Sequence, residues 1–239
     1  MRRLLALTGS FLIVAAALLI TWVAVVFFWQ DPFTAWYTHR QQAKLAASYD
    51  HRVEQFTRRE TEAPASDATT SAYPAREITR LAVAYGRSLH VGDPVGRLQI
   101  KRIGLNMVVV QGTDEESLKK GPGHYSTTGL PGGGQLIYVA GHRTTYLAPF
   151  SHIDSIRNGD FIVFQVPYGT FTYRAFRHYV VPSTELSVLQ SHGREILRLQ
   201  ACHPRFFATH RYLVDARLVA FRPHGARRTI AVRQVVRAG

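Results

Sequence analysis

Hydrophobic and polar positions divide the chain into three stretches. Residues 4–29 are apolar apart from a few small polar residues, residues 30–75 are mostly polar, and a regular alternation follows them. As a helix, the first stretch would be about 39 Å long, which exceeds the roughly 30 Å hydrocarbon core of a bilayer. Arg2 and Arg3 precede it, and such positive flanks stay in the cytoplasm. The pattern predicts a cytoplasmic stub at residues 1–3, a transmembrane anchor at 4–29 and an extracellular remainder.

A cleaved signal peptide is the alternative for the apolar stretch. The stretch is longer than the roughly 7–15 residues of a signal-peptide core, and its alanine run at residues 15–17 lies inside it rather than at its end. We therefore expect an uncleaved, single-pass anchor in the cell membrane.

Residues 30–75 predict a helical stalk followed by a flexible linker. Up to residue 60 the stretch is polar and weakly amphipathic. From residue 61 it is rich in Ala, Ser, Thr and Pro and has no apolar periodicity. Beyond it, Ile78 and Leu81 lie on one face of a short predicted helix at residues 76–89.

Residues 76–221 predict a mostly β domain, in which a regular alternation follows the short helix. Many short strands separated by Gly and Pro turns favour a closed, mostly antiparallel β-barrel of about eight strands with short helices. Residues 222–239 predict a basic C-terminal tail. The predicted strands cover residues 96–103, 106–110, 135–140, 160–166, 170–181, 195–202 and 211–221, and the short helices cover 114–120 and 147–156.

Charge and cysteine content narrow the function. The formal net charge is +13, which outside a cell favours anionic lipids and wall polymers as partners and argues against nucleic acid. A single cysteine cannot form an internal disulfide, so its thiol is either buried and inert or exposed and reactive. We expect no cofactor and no metal; a calcium site assembled in space from Asp154, Asp160 and Glu185 is the alternative, and we do not favour it.

The cysteine, Cys202, lies at the end of a predicted strand. The apolar residues Leu197, Leu199 and Ala201 share one side of this strand and should face the core, so Cys202 faces the other side. By the same alternation, Arg211 lies on the non-core face at the start of the next strand. A free thiol in this position is a candidate nucleophile rather than a small buried hydrophobe.

Three segments resemble one known family. Residues 121–125 read GPGHY, residues 138–145 read YVAGHRTT, and residues 201–204 read ACHP, with Arg211 nine positions after the cysteine. In this order they resemble the sortases of Gram-positive bacteria over residues 76–221. The CHP motif, the step to arginine and the TTY after the histidine most resemble the class E housekeeping sortases of actinobacteria.

The resemblance implies a sortase-type barrel and a cysteine transpeptidase. Cys202 would attack the Thr–Gly carbonyl of a C-terminal Leu-x-x-Thr-Gly-like sorting signal and form a thioacyl enzyme. His142 would protonate the leaving amine and then deprotonate an incoming peptidoglycan amine. Arg211 would donate hydrogen bonds to the oxyanion or hold the peptide. The implied partners are exported proteins that carry the signal, a peptidoglycan precursor and the membrane.

Further residues are expected to line the substrate groove. These candidates are His124, Thr144, Thr145, Tyr146 and Ala201. The chain departs from the family just before the cysteine, where it has Gln200 and Ala201 instead of the usual threonine, and this change affects the fine shape of the groove.

Several alternatives stay open. A pilin-polymerising sortase would use a lysine side chain as the acceptor, and a non-catalytic wall-binding module would act through its charge alone. A papain-type triad would need an asparagine, and neither Asn106 nor Asn158 is well positioned. The Asp-Pro-Phe run at residues 31–33 resembles the lid tripeptide of pilus-building class C sortases, but we expect it to form the turn that leaves the membrane. We do not expect His203 to be the base, because on a continuing strand it would face the side opposite to Cys202, and we expect His210 to have a structural role.

Overall fold

The alternating segments form a sheet that closes on itself. The computed structural model describes residues 2–29, 32–62, 75–225 and 230–231. The helices are α1 (Arg2–Trp29), α2 (Pro32–Glu62), α3 (Ala75–Arg87) and α4 (Glu115–Leu118). The strands are β1 (Pro94–Ile100), β2 (Leu105–Gln111), β3 (Gly123–His124), β4 (Leu136–Gly141), β5 (Phe161–Val166), β6 (Gly169–Pro182), β7 (Ile196–His203), β8 (His210–Pro223) and β9 (Ile230–Ala231).

The strand order is β6-β5-β1-β2-β3-β4-β7-β8, and pairing of β6 with β8 closes the barrel. The β2–β3 and β4–β7 pairs are parallel, and the other pairs are antiparallel. Strand β9, which lies within the predicted basic tail, pairs with the end of β8. The predicted closed, mostly antiparallel barrel is confirmed.

The barrel interior is filled by aromatic and branched side chains. Phe150, Phe164 and Phe171 are fully buried there. Leu197, Leu199 and Ala201 of β7 also have no exposed surface and belong to the same core. The side-chain alternation predicted for β7 is therefore confirmed, and Cys202 lies on the opposite side of that strand.

Two predicted elements differ in the structure. The expected helix at residues 147–156 is a loop followed by a single 3₁₀ turn, because Tyr146, Leu147 and Ala148 have positive φ angles and Pro149 follows them. The expected first strand ends at Ile100, because Gly104 (φ 66°) closes a 3₁₀ turn. The predicted helix at residues 114–120 is present as α4, and the side chain of Asp114 caps it by accepting a hydrogen bond from Ser117 N at 3.0 Å.

Helix α1 has the length and composition of a membrane span over Ala6–Val25, and none of that window is buried. Helix α2 packs against the barrel: Leu45 and Tyr49 cover Val108 and Val110 of β2. The predicted linker lies largely outside the described residues, as does Asp31 of the Asp-Pro-Phe run.

Candidate active site

Strands β7 and β8 bring Cys202 and Arg211 together. They are register partners in this antiparallel pair. Directly opposed residues have Cβ atoms about 4.5–5.5 Å apart and point to the same face. Both side chains are half-buried, and both line a cavity of about 290 Å³. The nine-residue spacing in the sequence therefore reflects one short strand-to-strand connection.

His142 reaches the same cavity from the end of β4. This strand runs parallel to β7 with Gly141 opposite Ala201, so the next residue on each strand is His142 and Cys202. Glycine is required at position 141, because a Cβ there would lie 2.6 Å from the ring of Phe150.

Burial of the His142 ring disfavours its protonated form. Burial of the ring lowers the pKa of His142 below its usual value; Lys119 lowers it further, while Glu115 raises it. Its Nε2 is buried and has no hydrogen-bond partner among the described residues. An unpaired buried nitrogen is rare in folded proteins, so this ring nitrogen marks His142 as a candidate functional residue.

The guanidinium of Arg211 is fixed at one end. Its Nη1 donates to the carbonyl oxygens of Ala208 at 2.7 Å and His210 at 3.0 Å. Arginine carries five N–H donors in a planar fork. The Nη1 contacts hold the fork in place, and its remaining donors can bind an oxygen atom in the cavity.

The loop between β6 and β7 forms one wall of the cavity. It contributes Ser183, Glu185, Leu186, Val188 and Leu189. The tyrosine rings of residues 125 and 138 line the cavity too, and they meet edge to face with centroids 6.2 Å apart. An extended peptide would therefore meet both apolar and polar surface.

A buried ion pair supports this wall. Arg198 of β7 donates two hydrogen bonds to Asp215 of β8, at 2.6 and 2.8 Å, and a third to the carbonyl of Val188 at 2.5 Å. Both charged side chains are at least nine-tenths buried. Breaking such a pair leaves an uncompensated buried charge, so the pair fixes the loop relative to the strand that carries Cys202.

Arg143 is a residue that the sequence interpretation missed. It is 4% exposed, and its Nη2 donates to Asp154 at 2.6 Å. Its Nη1 lies 3.0 Å from Nδ1 of His203 and 3.4 Å from the carbonyl oxygen of Cys202. Arginine cannot accept a hydrogen bond, so this histidine nitrogen is the acceptor. Arg143 thereby connects the His142 loop to the end of β7. The sequence shows that Arg143 follows His142, but it does not show that Arg143 is buried.

Two of the predicted groove residues lie elsewhere. His124 is 1% exposed; its Nδ1 lies 2.7 Å from Gln111 Oε1 and its Nε2 lies 2.9 Å from the carbonyl oxygen of Gly129. It lines a different cavity, beside α3. Ala201 faces the barrel core with no exposed surface, so its side chain cannot contact a substrate in the groove.

The three residues that follow Arg143 differ in their position relative to the candidate site. Thr144 and Thr145 are half-buried, and neither belongs to the described lining of the Cys202 cavity. Tyr146 packs its ring against His142, with centroids 5.2 Å apart. Of these three, Tyr146 is the one with a contact to the candidate site.

The carboxylates considered for calcium are separately engaged. Asp154 binds Arg143, Asp160 binds Arg102 at 2.8 and 2.9 Å, and Glu185 accepts from the backbone of Ser187. Within the described ranges, no group of three or more His, Cys, Asp or Glu side chains is arranged to hold a metal ion.

Comparisons with known proteins point to one family. The sortase domain family model matches residues 98–219. Sortase D of Bacillus subtilis (strain 168) is 31% identical over 132 residues, which cover 54% of this chain and 65% of that protein. The match thus spans less than two thirds of the length of this relative.

Solved structures show the same fold. Sortase E from Streptomyces avermitilis is 33% identical with a TM-score of 0.53, over 58% of this chain and 96% of that one. Sortase E1 from Streptomyces coelicolor, solved with a tripeptide in its active site, is 25% identical with a TM-score of 0.53, over 57% of this chain and 94% of that one. With a family match across half of its length, the chain belongs to the sortase family.

Proposed function

We propose that this protein is a membrane-anchored cysteine transpeptidase. It cleaves a C-terminal Leu-x-x-Thr-Gly-like sorting signal between Thr and Gly and transfers the exported protein to a peptidoglycan amine. The observation that carries the proposal is that Cys202, Arg211 and His142 line one cavity, with the first two directly opposed across β7 and β8.

Acylation follows from the positions of these three groups. The neutral imidazole of His142 accepts the thiol proton as Cys202 Sγ attacks the threonine carbonyl carbon. Arg211 donates to the oxygen that becomes negative. His142 then delivers the proton to the glycine nitrogen, the C–N bond breaks, and a thioester remains. An oxyanion donor of this kind is typically worth about 10²–10³ in rate.

Transfer reverses these steps with a different amine. The acceptor amine attacks the thioester carbon while His142 accepts its proton. The C–S bond then breaks, the proton returns to the sulfur, and an amide bond joins the exported protein to its acceptor. His142 therefore moves a proton in both half-reactions, and no net proton is consumed.

The cellular setting is part of the proposal. The apolar span in α1 would hold the protein in the cell membrane. With Arg2 and Arg3 in the cytoplasm, the catalytic domain would be extracellular. There it would meet exported proteins, the peptidoglycan precursor and the anionic surface that a net charge of +13 favours.

The nucleophile is tested by replacing Cys202 with alanine in the full chain. We expect Cys202→Ala to lower transpeptidation of Leu-x-x-Thr-Gly peptides below about 1% of wild type, because the thioester cannot form. The melting temperature should stay close to wild type, since little buried volume is removed. Ser88→Ala, which removes an exposed hydroxyl at the end of α3, is the matched control. Activity above about 1% in the alanine variant would contradict the assignment.

The same assay separates the alternatives. A pilin-polymerising enzyme would prefer a lysine side chain over a peptidoglycan stem peptide as the acceptor. A non-catalytic wall-binding module would show no transfer to either amine, and its Cys202 would resist alkylation.

A further inference from the structure

The turn that follows the candidate base is strained. Tyr146, Leu147 and Ala148 have φ angles of 53°, 59° and 37°. Positive φ is uncommon for residues other than glycine, and three in succession are rarer still. Such a conformation persists only where surrounding contacts determine it, and it is concentrated at functional sites. The contacts that hold this turn therefore bear on how the candidate site is built.

One set of contacts lies within the His142 loop itself. Ala148 N donates to the carbonyl of Thr145 at 2.8 Å, and Phe150 N donates to the carbonyl of His142 at 3.1 Å. Ala148 and Phe150 are buried. These contacts fix the end of the turn but not its first residue, Tyr146.

The contact at Tyr146 comes from outside the barrel. Its N–H donates to Thr34 Oγ1 at 3.2 Å, and Thr34 lies in the first turn of α2. Thr38 and Gln42 follow at the four-residue spacing that places them on the same helix face. Thr38 Oγ1 donates to the carbonyl of Lys119 at 2.7 Å.

Gln42 completes this docked face. Its Nε2 donates to the carbonyls of Val108 and Lys120, and its Oε1 accepts from Val108 N at 2.8 Å. The polar side chains of Thr34, Thr38 and Gln42 thus bind backbone groups of the barrel in successive turns. The start of α2 has a defined position relative to the His142 loop.

We propose that the first turn of α2 helps to position His142 in the active site. Thr34 holds the strained turn through Tyr146 N, and the Tyr146 ring, 5.2 Å from the imidazole between centroids, orients His142. Both are positioning residues that act through the histidine. The kinetic part of the test rests on the proposed function, whereas the hydrogen bond between Thr34 and Tyr146 does not.

The pKa of His142 gives a second readout, because it depends on the groups around the ring. Glu115 and Lys119 lie near it on the α4 side, and Cys202 and Arg211 share its cavity. Burial is the main reason that the pKa of His142 is low. If the turn loosens and water reaches the ring, that pKa should rise toward its ordinary value.

The experiment uses the full chain in detergent micelles with three variants. Thr34→Val removes the acceptor and keeps the shape of the side chain, while Thr34→Ser restores the acceptor. Thr57→Val is the control, because this α2 hydroxyl contacts the carbonyl of Val53 and the ring of His224. For each variant, kcat and KM are measured, and the His142 titration is followed by NMR.

We expect Thr34→Val to lower kcat at least about fivefold with KM within about twofold of wild type, because the base is misplaced while peptide binding is retained. Its His142 titration should move to higher pH. Thr34→Ser and Thr57→Val should resemble wild type. A Thr34→Val protein with wild-type kcat and titration would overturn the proposal, as would a Thr34→Ser protein as impaired as Thr34→Val.

Two further outcomes are distinguishable. If the wild type transfers no peptide at all, the proposed function fails, but the His142 titration of Thr34→Val against wild type still decides whether Thr34 acts on the histidine. If Thr34→Val does not fold, Tyr146→Leu tests the same chain of contacts. Loss of the aromatic ring should raise the His142 titration midpoint, and an unchanged midpoint would overturn the proposal.

Discussion

At the scale of single residues, Arg211 and His142 are held in different ways. The Nη1 of Arg211 is bound to two carbonyl oxygens, so its fork of donors is rigid. The buried Nε2 of His142 has no partner among the described residues. A rigid donor suits stabilisation of developing charge, which depends on preorganised dipoles. An unpaired ring nitrogen suits proton transfer.

Arg211→Lys tests the rigid donor. Lysine keeps the positive charge but loses the planar fork and the paired geometry. We expect a loss of at least about tenfold in kcat/KM, which corresponds to roughly 1.4 kcal/mol of transition-state stabilisation. Alkylation of Cys202 should remain measurable because the thiol is untouched.

Arg205→Lys is the matched control for this substitution. Arg205 lies in the connection between β7 and β8, shortly before Arg211, and is exposed. If Arg211→Lys retains wild-type kcat/KM, Arg211 supplies at most general positive charge, and the oxyanion is bound elsewhere.

Side-chain alternation predicted the face of Cys202, because the apolar residues Leu197, Leu199 and Ala201 share one side of β7 and Cys202 therefore lies on the other. Alternation could not show that His124 is enclosed by Gln111 and Gly129, since those contacts come from separate segments. The same alternation places Ala201 on the core side of β7, which argues against the role in the groove that was expected for it. The catalytic roles of Cys202, His142 and Arg211 stay predictions.

At the scale of elements, strands were easier to predict than connections. Period-two alternation marks a strand wherever one face is buried, and β5 and the first half of β6 carry that pattern. The apolar residues around position 150 resemble a helix, but the left-handed turn at Tyr146 and its neighbours excludes one. The docking of α2 was not predicted, because the hydrogen bonds of Gln42 to β2 depend on tertiary structure.

His124 links elements in a way that makes stability depend on pH. It joins β3 to Gln111 of β2 and to the loop at Gly129. Burial lowers the pKa of His124 to about 4 from an ordinary value of 6.5. Below pH 6.5 the unfolded chain therefore binds a proton that the folded chain does not. Stability from this group is complete above pH 6.5 and is lost as the pH falls toward 4, by up to about 3 kcal/mol.

The measurement is the free energy of unfolding in urea at pH 7.5 and pH 4.5, for wild type and for His124→Gln. Carboxylates also titrate in this range, so the relevant quantity is the difference between the two proteins. We expect the variant to lose less stability on acidification than wild type. His142, whose pKa is also lowered by burial, contributes in the same direction to both proteins. Equal losses would show that His124 titrates normally.

At the scale of the whole molecule, the candidate span and the docked part of α2 are close in the chain. Thr38, which is buried against the barrel, lies thirteen positions after Val25, at the end of the candidate span. In a helix they would cover about 20 Å. If this span crosses a membrane, the barrel would therefore lie near the membrane surface, where under the proposed function a sorting signal emerges and where a basic surface is attracted to anionic lipid.

Protease added to intact protoplasts tests this arrangement. The Arg2 and Arg3 flank predicts that the barrel is outside, and the predicted linker at residues 61–75 is the expected site of cleavage. Denaturing gels should then show a membrane-bound N-terminal fragment separate from the barrel. Because Leu45 and Tyr49 cover Val108 and Val110, the cut barrel should stay with the membranes until urea releases it. A barrel protected from protease would show that the orientation is wrong, and one lost without denaturant would show that α2 does not hold it.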